Sequence, residues 1–70
     1  MRVDRLKQSR LKSHLTQEQL GVLLHTDKKQ ISRWESGGSV PHAETLIELS
    51  RILSVSVDYL LGISDEPTIR

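Results

Sequence analysis

The side chains best placed for chemistry lie between residues 28 and 36, where Lys28, Lys29, Ser32, Arg33 and Ser36 stand close together. At about 100° per residue, Lys29, Ser32, Arg33 and Ser36 share one side of a helix, with Lys28 at its N-terminal end. Ile31 and Glu35 fall on the opposite side and Trp34 on its flank, which is the phase of a core face. The outward side therefore carries cations and hydroxyls and no acid. Lysine and arginine can donate to the O6 and N7 acceptors of guanine in the major groove, and serine can serve any base pair. A charged helix face also serves simply to keep a surface hydrated, and these residues alone leave both readings open.

Other chemistry finds little support. His14, His25 and His42 share no helical spacing suited to one metal ion, and the chain has no cysteine, so no metal site is expected. No nucleophile stands beside a base, and no glycine-rich loop could cradle a phosphate. Seventy residues are too few for a sizeable substrate cavity, so neither catalysis nor a cofactor is expected. Charge is more informative. The net charge is only +1, yet residues 1–33 hold eight Lys/Arg against three acids, and residues 34–70 hold two against six. A basic half beside an acidic half suggests a face for a polyanion.

A chain this short makes one domain with a small aliphatic core, since it has one Trp, one Tyr and no Phe. No stretch approaches the roughly 20 apolar residues of a membrane span, and the charged start at Met1-Arg2-Val3-Asp4-Arg5 does not read as a secretory signal. A cytoplasmic protein is the expectation.

The elements that must position the 28–36 face are all helical in period. Leu46, Leu49 and Leu53, with Ile47 and Ile52 beside them, mark one buried face. Thr16 and Gln19 form a capping box, with Leu15 stapled to Leu20. Asp27 and Gln30 repeat the pattern, and Ser56 between Val55 and Leu60 marks another start. Gly37-Gly38 stops a helix after Ser36, and Pro41 introduces the next. The reading is all-α: five helices over 4–13, 17–24, 28–36, 42–53 and 57–61. They make a compact domain over residues 1–63 with a short, frayed tail over 64–70. Only His25-Thr26-Asp27 separates the second helix from the third, which forces a sharp angle and lets the third project.

Residues 5–62 resemble the XRE-type helix-turn-helix family, that of the phage lambda repressor and Cro. The resemblance runs through Arg5-Leu6-Lys7, Leu15-Thr16-Gln17-Glu18-Gln19-Leu20 and Ile31-Ser32-Arg33-Trp34-Glu35-Ser36-Gly37. It continues through Pro41, Glu44-Thr45-Leu46, Leu49-Ser50 and Val55-Ser56-Val57-Asp58-Tyr59-Leu60-Leu61-Gly62. It implies a lambda-repressor-like fold and a sequence-specific regulator of transcription, usually a repressor, bound to double-stranded DNA. Lys28, Lys29, Ser32 and Arg33 would then read bases. Gln17 would grip a phosphate, with Ser36, Ser39 and His42 along the backbone. Arg10 and Glu35 match a pair that is salt-bridged in some relatives. That role is structural, so losing Glu35 is expected to lower stability with no further defect on DNA. The resemblance also implies a homodimer on a two-fold symmetric site, with Val57, Tyr59, Leu60 and Ile63 at the contact. The alternative is an antitoxin-like regulator or an adaptor whose main partner is another protein.

The sequence departs from the family pattern at four places. His25 and Ser54 stand where glycine is frequent, Gly21 replaces a common alanine, and His42 is a weak cap. These bear on stability more than on function, since none removes a DNA-facing group.

Overall fold

A computed structural model describes residues 1–68. Five helices, and no strand among the described residues, follow in order: α1 (Val3–Lys12), α2 (Gln17–Leu23), α3 (Lys28–Ser36), α4 (Ala43–Leu53) and α5 (Val57–Leu61). The all-α reading and the five-helix count therefore stand, with boundaries displaced by a residue at α1, α2 and α4. At α4 the reason is the cap. His42 has extended backbone angles and its side chain makes no capping bond, so the helix begins one residue later.

The N-terminal caps follow their side-chain chemistry. Thr16 Oγ1 accepts from Gln19 N at 3.0 Å while Gln19 Oε1 accepts from Thr16 N at 2.9 Å. Asp27 accepts from Gln30 N, and Ser56 from Tyr59 N, each at 3.0 Å. Caps of this kind are worth about 1 kcal/mol each. Gln30 does not reach back to Asp27 as Gln19 does to Thr16, so α3 has half a capping box.

All five helices close in one way. The residue at the turn takes a left-handed conformation: His14, His25, Gly37, Ser54 and Gly62, with φ between 57° and 84°. The next N–H then bonds back over the last turn, as in Thr26 N to Gly21 O at 2.8 Å and Gly38 N to Arg33 O at 2.9 Å. Leu15, Val55 and Ile63 repeat the bond at the other three ends. His25 and Ser54, which stand at the family's glycine positions, take this conformation nonetheless, and His14 joins them. Each non-glycine residue there carries strain on the order of 1 kcal/mol.

Leu6, Leu20, Ile31, Leu49 and Leu60 are fully buried, with Trp34, Leu46, Leu53 and Val55 around them. Each such side chain contributes about 1.5–3 kcal/mol through burial. Ile47, expected to join that face, is 46% exposed. It follows directly on Leu46, and 100° per residue carries it off the buried stripe. α1 packs on α3 and α5, α2 on α3, and α4 on α5, so α1 is the bridge between the two ends of the chain.

The segment after α5, expected to fray from Ser64, makes several bonds. Ser64 O accepts from Arg5 Nη1 at 2.8 Å, Asp65 Oδ1 from Arg5 Nη2 at 2.7 Å, and Pro67 O from Ser56 N at 2.8 Å. The last two residues of the expected tail, 69 and 70, lie outside the described residues.

Candidate nucleic-acid interface

The α2–α3 turn is tight because Gly21 makes room for it. A Cβ on Gly21 would stand 3.0 Å from Thr26 O and 3.1 Å from Asp27 C, both backbone atoms. An alanine there would require the turn to give by a few tenths of an ångström. Gly21 thus lets α2 pack closely against the turn that leads into α3.

Ile31 and Trp34 anchor α3 in the core. Its opposite side is free: Lys28, Lys29, Ser32, Arg33 and Ser36 are all exposed. Lys28, Lys29, Ser32 and Arg33 share with Gln17, from the start of α2, one open depression of about 390 Å³. Sequence reading named all five for a nucleic acid, and the fold brings them to one surface with no acidic residue in its lining.

The cations of residues 1–33 divide into two groups. Arg2 pairs with Asp4 at 2.8 Å, Arg5 with Asp65 at 2.7 Å and Arg10 with Glu35 at 2.6 Å. Lys7, Lys12, Lys28, Lys29 and Arg33 are exposed, and no carboxylate pairs with them among the described residues. Part of the charge asymmetry along the chain is thus spent on internal pairing. The part that remains for a polyanion is concentrated on α3, with Lys7 and Lys12 on α1.

The Arg10–Glu35 pair is almost wholly buried, with side chains 8% and 5% exposed. Arg10 donates through Nε and Nη2 to the two Glu35 oxygens and through Nη1 to Leu15 O at 2.8 Å. Gln17 Nε2 also donates to Glu35 Oε1, at 3.2 Å. One carboxylate on α3 therefore holds α1 and the first residue of α2, while Arg10 ties down the loop between them. A buried charge pair tolerates no missing partner, because the survivor is left desolvated.

The other nominated phosphate contacts scatter. Ser36 Oγ donates to Arg33 O within α3 at 3.1 Å, and His42 is exposed. The Ser39 hydroxyl oxygen is buried, with no hydrogen-bond partner among the described residues, so it is not displayed toward a ligand. The nominated dimer contacts also divide. Leu60 is fully buried in its own core, while Ile63 is 73% exposed and Val57 is half-buried. The Tyr59 ring lies under the Arg5 guanidinium, 4.2 Å from its centroid. Sequence reading missed Arg5 as a structural centre. Two of its three acceptors are the backbone oxygens of Tyr59 and Ser64, which leave no mark in a sequence. Among the described residues no group of His, Asp and Glu could hold a metal ion, and no helix is long and apolar enough to cross a membrane.

Comparison with known proteins decides the family. Residues 6–60 match the family model described as helix-turn-helix. The chain belongs to that family. Within it the match is of the XRE type, and α2 and α3 are the motif's two helices. The chain is 43% identical over 59 residues to the HTH-type transcriptional activator BcrR of Enterococcus faecalis, covering 84% of this chain and 29% of that protein. It is 37% identical over 67 residues to the uncharacterized HTH-type transcriptional regulator YobD of Bacillus subtilis, covering 96% and 60%. It is 36% identical over 58 residues to repressor protein C2 of Salmonella phage P22, covering 83% and 27%. The chain thus spans between about a quarter and three-fifths of the length of these relatives. No solved structure matches it.

Proposed function

We propose that this chain is the DNA-binding module of a transcription regulator, with α3 as the helix that enters the major groove. The observation that carries the reading is the acid-free surface formed by Gln17, Lys28, Lys29, Ser32 and Arg33. Lys28, Lys29, Ser32 and Arg33 read base edges, and Gln17 holds the backbone at the start of α2. Phosphate contacts supply most of the affinity and base contacts the choice of site. The role is recognition without catalysis, and it is exercised where the DNA lies, in the cytoplasm.

Two copies bind a two-fold symmetric site, with their α3 helices about 34 Å apart to meet successive turns of the same groove. A body measuring 28 × 22 × 20 Å suits that spacing when two copies abut. With Leu60 in the core and Tyr59 beneath Arg5, Ile63 and Val57 are what the α5 end offers a second copy. Repression follows when the site overlaps a promoter. The named relatives include both an activator and a repressor, so the sign depends on where the site lies.

The test is binding of duplex DNA between about 50 and 200 mM salt, where log K falls linearly with log salt at about 0.9 per neutralised phosphate. Replacing Lys28 and Lys29 together by alanine is expected to flatten that slope or to erase preference among sequences. A protein whose slope and preference are both unchanged by the double substitution does not use this face.

A further inference from the structure

We propose that Glu35 is a positioning residue for the DNA contact made by Gln17, a proposal that rests on the DNA-binding reading above. The Gln17 amide nitrogen carries two hydrogens. One goes to Glu35 Oε1 at 3.2 Å, and no other hydrogen bond of that side chain occurs among the described residues. With one hydrogen anchored, the swing of the amide is restricted, and the second hydrogen is directed away from the bonded oxygen. Gln17 is part of the surface that holds Lys28, Lys29, Ser32 and Arg33, so the anchored amide sits at the edge of the proposed recognition face. An unanchored glutamine side chain would lose rotamer freedom on meeting a phosphate, and the Glu35 bond removes that cost beforehand.

Electrostatics would otherwise oppose the arrangement. A bare carboxylate close to a phosphate repels it, and that repulsion is poorly screened in a buried setting. Arg10 answers this by donating to both Glu35 oxygens, at 2.6 and 3.2 Å. Arg10 and Glu35 together present Gln17 with an acceptor but the backbone of DNA with no net charge. On this proposal the pair does more than brace α1 against α3, and losing Glu35 would weaken the Gln17 contact as well as the fold.

Replacing single phosphates of a bound duplex by uncharged methylphosphonates maps each contact separately. In the unchanged protein, neutralising the phosphate held by Gln17 is expected to weaken binding roughly ten-fold, the scale of one hydrogen bond to a charged group. Gln17→Ala identifies that phosphate, because it abolishes sensitivity there and nowhere else. Glu35→Ala risks unfolding the chain, so the deciding variant carries Arg10→Met with Glu35→Met. Apolar replacement of a buried pair commonly preserves the fold. The double variant is expected to lose most of the sensitivity at the Gln17 phosphate while keeping it at the other phosphates of the site. An unchanged map in the double variant, or uniform weakening at every phosphate, overturns the positioning role. No sensitivity at any phosphate in the unchanged protein overturns the DNA reading itself, and the relay with it.

Discussion

Two arginines of α1 hold opposite ends of the molecule, and they do so in different surroundings. Arg10 reaches α3, where its partner Glu35 is as buried as itself, at 5% against 8% exposure. Arg5 reaches α5 and the segment after it, where its partner Asp65 is 97% exposed although Arg5 is 10% exposed. The distances are nearly the same, 2.6 and 2.7 Å, so geometry does not separate the two pairs. Burial does. An exposed carboxylate left alone is resolvated by water, whereas a buried one is not. The α3 end is therefore held by charge in a dry setting, and the α5 end chiefly by the hydrogen bonds from Arg5 to two backbone oxygens and by its stacking on Tyr59. The recognition helix has the stiffer mooring of the two.

The largest effect expected from this difference is at Glu35. Glu35→Ala should cost about 3–5 kcal/mol, the scale for stranding a buried charge. A domain of this size has only about 4–10 kcal/mol to lose, so thermal unfolding should move down by tens of degrees. A shift of only a few degrees would show that the two ends are held alike. Next comes Arg5→Ala, expected to cost about 2 kcal/mol through two lost bonds to carbonyl oxygens and the lost stacking. Asp65→Ala leaves Arg5 its two carbonyl acceptors and the Tyr59 ring and removes a partner that water already screens, so it should cost no more than about 1 kcal/mol. Both Asp65→Ala and Glu35→Ala leave an arginine of like burial, but Arg10 keeps only one carbonyl. The contrast between the two changes in one denaturant series tests whether the partners remaining to Arg5 spare the α5 end. Equal losses would refute it.

Smaller still is the strain at the α2–α3 turn. His25→Gly relieves a left-handed residue at φ 58° and adds freedom to the unfolded chain, for a net gain of about 0.5 kcal/mol. A loss in its place would mean that the His25 side chain makes a contribution beyond its backbone. The faintest effect concerns acid. The side-chain hydrogen bond from Arg2 holds the Asp4 carboxyl below its ordinary value of 3.8. A depressed folded pKa contributes stability above the unfolded value and loses it as pH falls through the folded one. Melting measured from neutral pH to about pH 2 should therefore show a slightly shallower acid slope in Asp4→Asn than in the unchanged chain.

Helix starts were legible because the cap residues carry their own signature: Thr16, Asp27 and Ser56 all accept the bonds their sequence context implies. The α3 face was legible from phase alone, since 100° per residue separates Ile31 and Trp34 from Lys29, Ser32 and Arg33. Pairing between distant residues was harder. Arg10 and Glu35 were suggested by family likeness and by the inward phase of Glu35, but nothing in the sequence linked Gln17 to the same carboxylate. Arg5 was opaque because backbone carbonyls are the same at every position. Family likeness put Leu60 at a dimer contact, yet it is fully buried in its own core. α1 and α4 supply the cover that the sequence of α5 alone does not reveal. His14 gave no sign of its left-handed turn, since the bond from Leu15 N to Arg10 O that closes over it is again between backbone atoms.

The central claim is that α3 reads base sequence, and selection from random duplexes addresses it most directly. The chain and its Arg33→Ala variant would each be offered the same pool near physiological salt. The account predicts a two-fold symmetric site for the unchanged chain and the same site for the variant with one position per half relaxed, at a cost of about 1–3 kcal/mol. Enrichment of no sequence by the unchanged chain, or of an identical site by both proteins with equal affinity, would contradict it.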